Sequence, residues 1–88
     1  MLEKIENIIK NDEKVVSFIL DEEDEIADFN FLITFENINA KESINDLEFK
    51  LEDELNGISV KTLPEQIDDQ IDDGGFYVDV DFYLYADN

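Results

Sequence analysis

The chain's most regular alternation is FYVDVDFYLY, at residues 76–85. Every second residue from Phe76 to Leu84 is apolar, and tyrosines and aspartates occupy the positions between them. Because successive side chains of a β-strand point to opposite faces, the pattern predicts a strand with one buried and one polar face. A second stretch, FNFLITF at residues 29–35, has the same period. Two long strands of this kind predict a sheet that is covered on one side only.

The first half of the chain supplies a helix and a hairpin. Residues 1–11 have apolar side chains at helical spacing and predict a first helix. The apolar, β-branched run at residues 15–20 predicts a strand. The charged segment 21–25 then predicts an exposed turn, and the alternation begins near Ala27. The two strands are therefore expected to form a hairpin.

The second half repeats this order loosely. A helix is predicted over residues 39–55, where Asn39 and Glu42 have the spacing of a capping box. The sequence LEFKL inside this segment also alternates and leaves a strand open, but its length and its Leu, Glu and Lys content favour the helix. A short strand follows at residues 58–63, and a proline begins a brief helical turn at residues 64–73.

The predicted fold class is α+β, in one domain that spans residues 1–88. The element order is α-β-β-α-β-β, with a short extra helix near residues 64–73. The simplest arrangement is a four-stranded, mainly antiparallel sheet with two helices on its apolar face and the other face open. If residues 64–73 form a crossover helix, the last two strands lie parallel instead.

The charge of the chain is its most unusual property. There are 25 acidic residues against six lysines, without arginine or histidine, so the formal net charge is −19. Such a chain repels itself, and compaction costs stability. Strongly acidic chains with few aromatic residues are typically disordered, whereas seven Phe and three Tyr provide a core here. The acidic residues concentrate in the inter-strand segments 21–28 and 64–73 and alternate with tyrosines in the last strand.

This pattern predicts a surface that imitates the phosphate backbone of a nucleic acid. Duplex DNA carries about one charge per 1.7 Å of its axis, and a folded polyanion can occupy the Lys/Arg groove that binds it. Tyrosines add the amphipathic anchors common at interfaces. The expected partner is thus a basic nucleic-acid-binding protein, while nucleic acid itself is repelled. The predicted partner-binding residues are Asp21, Glu22, Glu23, Asp24, Glu25, Asp28, Asp68, Asp69, Asp72, Asp73, Tyr77, Asp79, Asp81 and Tyr83.

Catalysis is not expected. Without His or Cys the usual general base and nucleophile are missing. The acidic segment 68–75 fails the EF-hand pattern, because counting from Asp69 puts Ile71 at the third position and Val80 at the twelfth, where Glu is required. We therefore predict no cofactor and no dedicated metal site.

The sequence also favours a cytoplasmic protein. A chain without cysteine suits a reducing compartment. No signal-peptide pattern opens the sequence, and no apolar run reaches the roughly 18 residues of a membrane span. The sequence leaves two oligomeric states open, a monomer or a homodimer that forms through an exposed edge strand.

In general character the chain resembles the small acidic inhibitors carried by phages and mobile elements, which include anti-CRISPR proteins, anti-restriction proteins and uracil-DNA glycosylase inhibitors. The resemblance rests on size, acidic excess, the absence of cysteine and the acidic turns at 21–25 and 68–73. It covers the whole chain and involves no specific motif. It implies a stoichiometric inhibitor that blocks the DNA- or RNA-binding surface of a host defence nuclease such as a CRISPR effector, acting in the host cytoplasm.

Two alternatives remain open at this point. The first is an immunity protein that neutralises a cognate nuclease toxin with the same electrostatics and fast, steered association. The second is an acidic adaptor domain that has no nuclease target.

Overall fold

The structure is a computed structural model and describes residues 1–23 and 26–86. It confirms the α+β class, the four-stranded antiparallel sheet and the additional helix. The elements in chain order are α1 (Leu2–Lys10), β1 (Val15–Leu20), β2 (Phe29–Glu36), α2 (Ala40–Glu54), β3 (Ile58–Lys61), α3 (Pro64–Asp72) and β4 (Tyr77–Ala86).

The two Phe-rich strands lie side by side at the centre of the sheet. The strand order is β1-β2-β4-β3, and all neighbours are antiparallel. In the central pair Phe31 lies opposite Phe82, and Ile33 lies opposite Val80. This register puts the apolar positions of both strands on one face, as their alternation predicts.

The last two strands are not parallel, although the helix between them is present. β3 pairs only with residues 83–86 of β4, and α3 then continues along the remaining part of the same edge. β3 and α3 together form one arm of a long hairpin whose other arm is β4. Because α3 does not cross a face of the sheet, the returning strand is antiparallel.

The core lies between the sheet and two helices. Ile5 and Ile9 of α1 and Leu47 and Leu51 of α2 are buried against the apolar strand positions. The strand alternative for LEFKL is excluded, because Leu47 and Leu51 point into the core at helical spacing while Phe49 is 71% exposed. The opposite face of the sheet carries no helix among the described residues.

Two local expectations are wrong. Asn39 is the N-cap of α2, but it has left-handed backbone angles (φ 59°) and its side chain makes no cap hydrogen bond, so the capping box does not form. Phe76, expected on the buried face of the last strand, is 89% exposed. The reason is that β4 begins at Tyr77, opposite Glu36, where β2 ends. Phe76 therefore lies beyond the paired strands.

Candidate partner-binding surface

The side chains of helix α3 and its C-cap form three stripes along the helix. Counting from Glu65, acidic residues recur at positions i, i+3, i+4, i+7 and i+8, which ends at Asp73. At about 100° per residue these positions cover an arc of about 140°. Two glutamines, Gln66 and Gln70, flank this arc. Ile67, which is buried, and Ile71 complete the circumference. The acidic stripe therefore faces solvent because the isoleucines anchor the opposite side of the helix in the core.

The two glutamines attach α3 to the free edge of β4. The backbone N–H of Asp81 donates to Gln66 Oε1 at 3.1 Å, and Gln66 Nε2 donates to the Asp81 carboxylate at 3.0 Å. One helical turn later, the N–H of Asp79 donates to Gln70 Oε1 at 2.8 Å, and Gln70 Nε2 donates to the Asp79 carbonyl. The side-chain amides thus occupy the place of a neighbouring strand and satisfy an edge that β3 is too short to cover.

This attachment joins two acidic groups that are separate in the sequence. Asp79 and Asp81 point to the open face of the sheet, about 6.7 Å apart. The carboxylates of α3 lie next to them, on the far side of the glutamines. We call the combined set the α3–β4 acidic surface. It consists of Glu65, Asp68, Asp69, Asp72, Asp73, Asp79 and Asp81.

The charge spacing of this surface is close to that of a nucleic-acid strand. Glu65 and Asp73 are separated by eight residues, or about 12 Å along the helix axis. Five carboxylates over this length give one charge per about 3 Å, compared with about 3.4 Å of axis per charge for one strand of duplex DNA. All five are exposed.

One lysine lies against the surface. Lys41 Nζ is 2.9 Å from an Asp68 carboxylate oxygen, and the pair is largely exposed. The hydrogen bond to Asp68 raises the pKa of Lys41, and the charges of Asp68 and Asp72 act in the same direction. An exposed pair of this kind adds little stability. Its main effect is to connect α2 with α3.

The acidic residues of the β1–β2 connector lie at the opposite end of the sheet. Asp21, Glu22 and Glu23 are exposed, and Asp24 and Glu25 lie outside the described residues. Since the connector adjoins the C-terminal end of β4, about 30 Å of strand separates it from the start of that strand. The residues expected to form one binding face therefore form two separate groups.

Asp28 belongs to the connector end. Its carboxylate accepts a hydrogen bond from the backbone N–H of Ala86 at 2.7 Å. The pairing of the two long strands places Asp28 beside the same sheet that carries Asp79 and Asp81. However, Ala86 is five residues beyond Asp81, so Asp28 lies about 17 Å along the strand from that carboxylate.

The predicted tyrosines differ in position. Tyr77 is 58% exposed and lies opposite Glu36 at the end of the open face. Tyr83 is half-buried between Asn30 of β2 and Lys61 of β3. Tyr77 is therefore accessible for contact, while Tyr83 contributes mainly to the packing of the open face.

Three residues of this region were not among those expected to bind a partner: Glu65, Gln66 and Gln70. The helical period of the acidic residues from position 65 onwards was a readable signal for Glu65. The glutamines had no such signal, because their role depends on the β4 edge that they meet.

Within residues 1–23 and 26–86, no three His, Cys, Asp or Glu side chains are arranged to hold a metal ion. The same residues include no helix that is long and apolar enough to span a membrane. Comparison of the chain with protein-family models, curated proteins and solved structures found no match.

Proposed function

We propose that this protein inhibits a nucleic-acid-binding enzyme by occupying the cationic surface that normally holds DNA or RNA. The proposed target class is a host defence nuclease, such as a CRISPR effector. The observation that supports the proposal is the α3–β4 acidic surface, in which a carboxylate stripe on a helix is held beside two carboxylates of a strand. The proposed place of action is the cytoplasm, where such enzymes meet their substrates.

Rigidity makes this surface more suitable than an acidic tail. Six of the seven carboxylates belong to α3 or β4, and Asp73 is the C-cap of α3. Two glutamines connect the two elements through four hydrogen bonds. A preorganised array loses little conformational entropy when it binds, so more of the electrostatic attraction remains as affinity. Long-range attraction between opposite net charges also accelerates association at low salt.

The first experiment identifies the target. The protein is immobilised, a bacterial lysate is passed over it at low salt, and retained proteins are identified by mass spectrometry after elution at high salt. The recovered protein is then purified, and its complex with fluorescent duplex DNA or RNA is titrated with the acidic protein. The proposal requires stoichiometric displacement of the nucleic acid. A partner that keeps its nucleic acid at saturating inhibitor contradicts it and favours the acidic adaptor.

A pair of variants with equal charge separates the surface from the overall charge. The α3 amide variant carries Asp68→Asn, Asp69→Asn, Asp72→Asn and Asp73→Asn. The α2 amide control carries Glu42→Gln, Asp46→Asn, Asp53→Asn and Glu54→Gln, at exposed positions of another helix. Each variant loses four charges. The α3 amide variant should displace nucleic acid at least about tenfold less well than the α2 amide control. Equal losses would show that only net charge matters.

A further inference from the structure

Four exposed apolar side chains lie together at one end of the sheet. Ile38, Phe76 and Tyr77 line a common depression, and they are 73%, 89% and 58% exposed. Val16, also exposed, lines the adjoining depression with Ile38. We call these residues the end patch. Single exposed apolar residues are ordinary, but an adjacent group of large ones indicates an interaction site.

The backbone that carries Phe76 is held firmly. Asn37 Nδ2 donates to the Gly75 carbonyl at 2.8 Å, and the Asn37 N–H donates to the Phe76 carbonyl at 2.8 Å. Gly74, at φ +73°, makes the turn that ends α3 and is at a position where other residues are strained. The backbone position of Phe76 is therefore fixed, which reduces the conformational entropy lost when its ring binds a partner.

Negative charge predominates around the end patch. Glu36 lines both depressions, and Glu13 and Lys14 line the second. Asp72 and Asp73 directly precede Gly74 at the C-terminal end of α3, so four carboxylates outnumber the one lysine. A second copy of this chain would bring these carboxylates against their own counterparts, which is unfavourable. Charge complementarity instead requires an occupant with an apolar pocket inside a cationic rim.

The end patch is also continuous with the α3–β4 acidic surface. Asp72 and Asp73 belong to that surface and lead through two glycines to Phe76. Tyr77 lies on the same open face of β4 as Asp79, two residues away. A partner that covers the carboxylates of α3 therefore reaches the patch without a gap.

We infer that the end patch, with Phe76 as its anchor, is the apolar part of the same interface and inserts into an apolar pocket bordering the cationic groove of the target. This inference rests on the proposed function. The carboxylates steer association and set its salt dependence, whereas Phe76 slows dissociation and selects one cationic groove among many.

Two synthetic peptides of equal length and equal lysine content provide a defined test. One interleaves lysine with leucine and phenylalanine, and the other has serine at those positions. Their affinities for the full-length protein are measured by fluorescence anisotropy at several salt concentrations. The wild type should bind the apolar peptide at least about tenfold more tightly than the serine peptide. In Phe76→Ser this preference should fall to less than about threefold.

The chain provides a matched control at Phe49, another largely exposed phenylalanine, on α2. Phe49→Ser should keep the full preference for the apolar peptide. Because both positions are on the surface, both variants should melt near the wild-type temperature. Equal preference in wild type and Phe76→Ser, or an equal loss in Phe49→Ser, would overturn the inference. A dimer in solution that Phe76→Ser dissociates would also overturn it.

The same measurements separate the two proposals. If the α3 amide variant binds the serine peptide as well as the α2 amide control does, the proposed function fails. The inference about the end patch is still supported in that case if only Phe76→Ser loses the preference for the apolar peptide over the serine peptide. In ¹⁵N spectra, shifts caused by the apolar peptide should centre on Ile38 and residues 75–77. Shifts centred on the β1–β2 connector would contradict the assignment.

Discussion

The side chain of Gln70 makes two hydrogen bonds with the backbone of Asp79, accepting from its N–H and donating to its carbonyl. Gln66 accepts in the same way from the N–H of Asp81. These contacts hold α3 against the free edge of β4, in addition to the burial of Ile67 in the core. The joint acidic surface therefore depends on two uncharged residues.

Replacing both glutamines by alanine should destabilise the protein by about 1–3 kcal/mol, since the N–H groups of Asp79 and Asp81 lose their partners. Urea unfolding measures this loss. Amide hydrogen exchange should also accelerate at residues 79 and 81 more than at the centre of β2. Unchanged protection at those two amides would show that α3 is not held by the glutamines.

Lys50 and Asp12 form a second long-range contact, between α2 and the segment after α1. Lys50 Nζ is 3.1 Å from Asp12 Oδ2, the aspartate side chain is only 5% exposed, and its other oxygen accepts from the Lys14 N–H. Lys50→Met should cost about 1.5–3 kcal/mol, because it leaves a buried carboxylate without its cation. In a double-mutant cycle with Asp12→Asn, the combined loss should be smaller than the sum. Strict additivity would mean that the pair is not coupled.

Glu48 should make stability depend on pH. Burial raises the pKa of Glu48 and the charge of Glu52 adds to this, while the hydrogen bond from Thr62 opposes it. A carboxyl whose pKa is raised by folding stabilises the folded state most at pH values below its ordinary pKa of 4.5. This stabilisation is lost as the pH rises through the pKa of the folded state.

Glu48→Gln should therefore raise the melting temperature at pH 7 by about 1–4 °C and have little effect near pH 4. The glutamine keeps an oxygen that accepts from Thr62. Thermal melts from pH 4 to 8 measure the effect, with Asp46→Asn on the exposed side of the same helix as the control. If both variants behave alike, the effect comes from general repulsion.

Added salt should stabilise the protein. Between about 0.01 M and 0.1 M salt the Debye length falls from about 30 Å to about 10 Å, which screens the repulsion among the carboxylates. We expect a gain of about 1 kcal/mol, or about 5 °C in melting temperature. The α3 amide variant, with its net charge reduced from −19 to −15, should gain less. A flat melting temperature in the wild type would count against strong self-repulsion.

The two acidic groups should act independently on a basic partner. Asp21→Asn with Glu22→Gln and Glu23→Gln removes three charges about 30 Å from the end of α3, several Debye lengths at physiological salt. Combined with the α3 amide variant, the changes in binding free energy should add to within about 0.5 kcal/mol. Kinetic binding assays with the captured partner measure this. Coupling above about 1 kcal/mol would mean that one groove contacts both groups.

The strands and helices were predictable because their signals are local. Alternation in residues 29–35 and 76–85 specifies which face of each strand is buried, whatever its neighbours. The same holds for the helical spacing of Leu47 and Leu51. Phe76 shows the limit of this reasoning, since it continues the alternation of the sequence but lies one residue before β4, beyond the last paired residues, and is exposed.

The acidic surface arose from contacts that no local pattern encodes. Gln66 contacts Asp81 across 15 residues of sequence, and Gln70 contacts Asp79 across nine. Composition and periodicity established a folded polyanion with an α+β architecture, because burial of apolar side chains follows the repeat of the backbone. Which carboxylates become neighbours was decided by strand order and by the short length of β3, since these determine which edge remains free for α3 to cover.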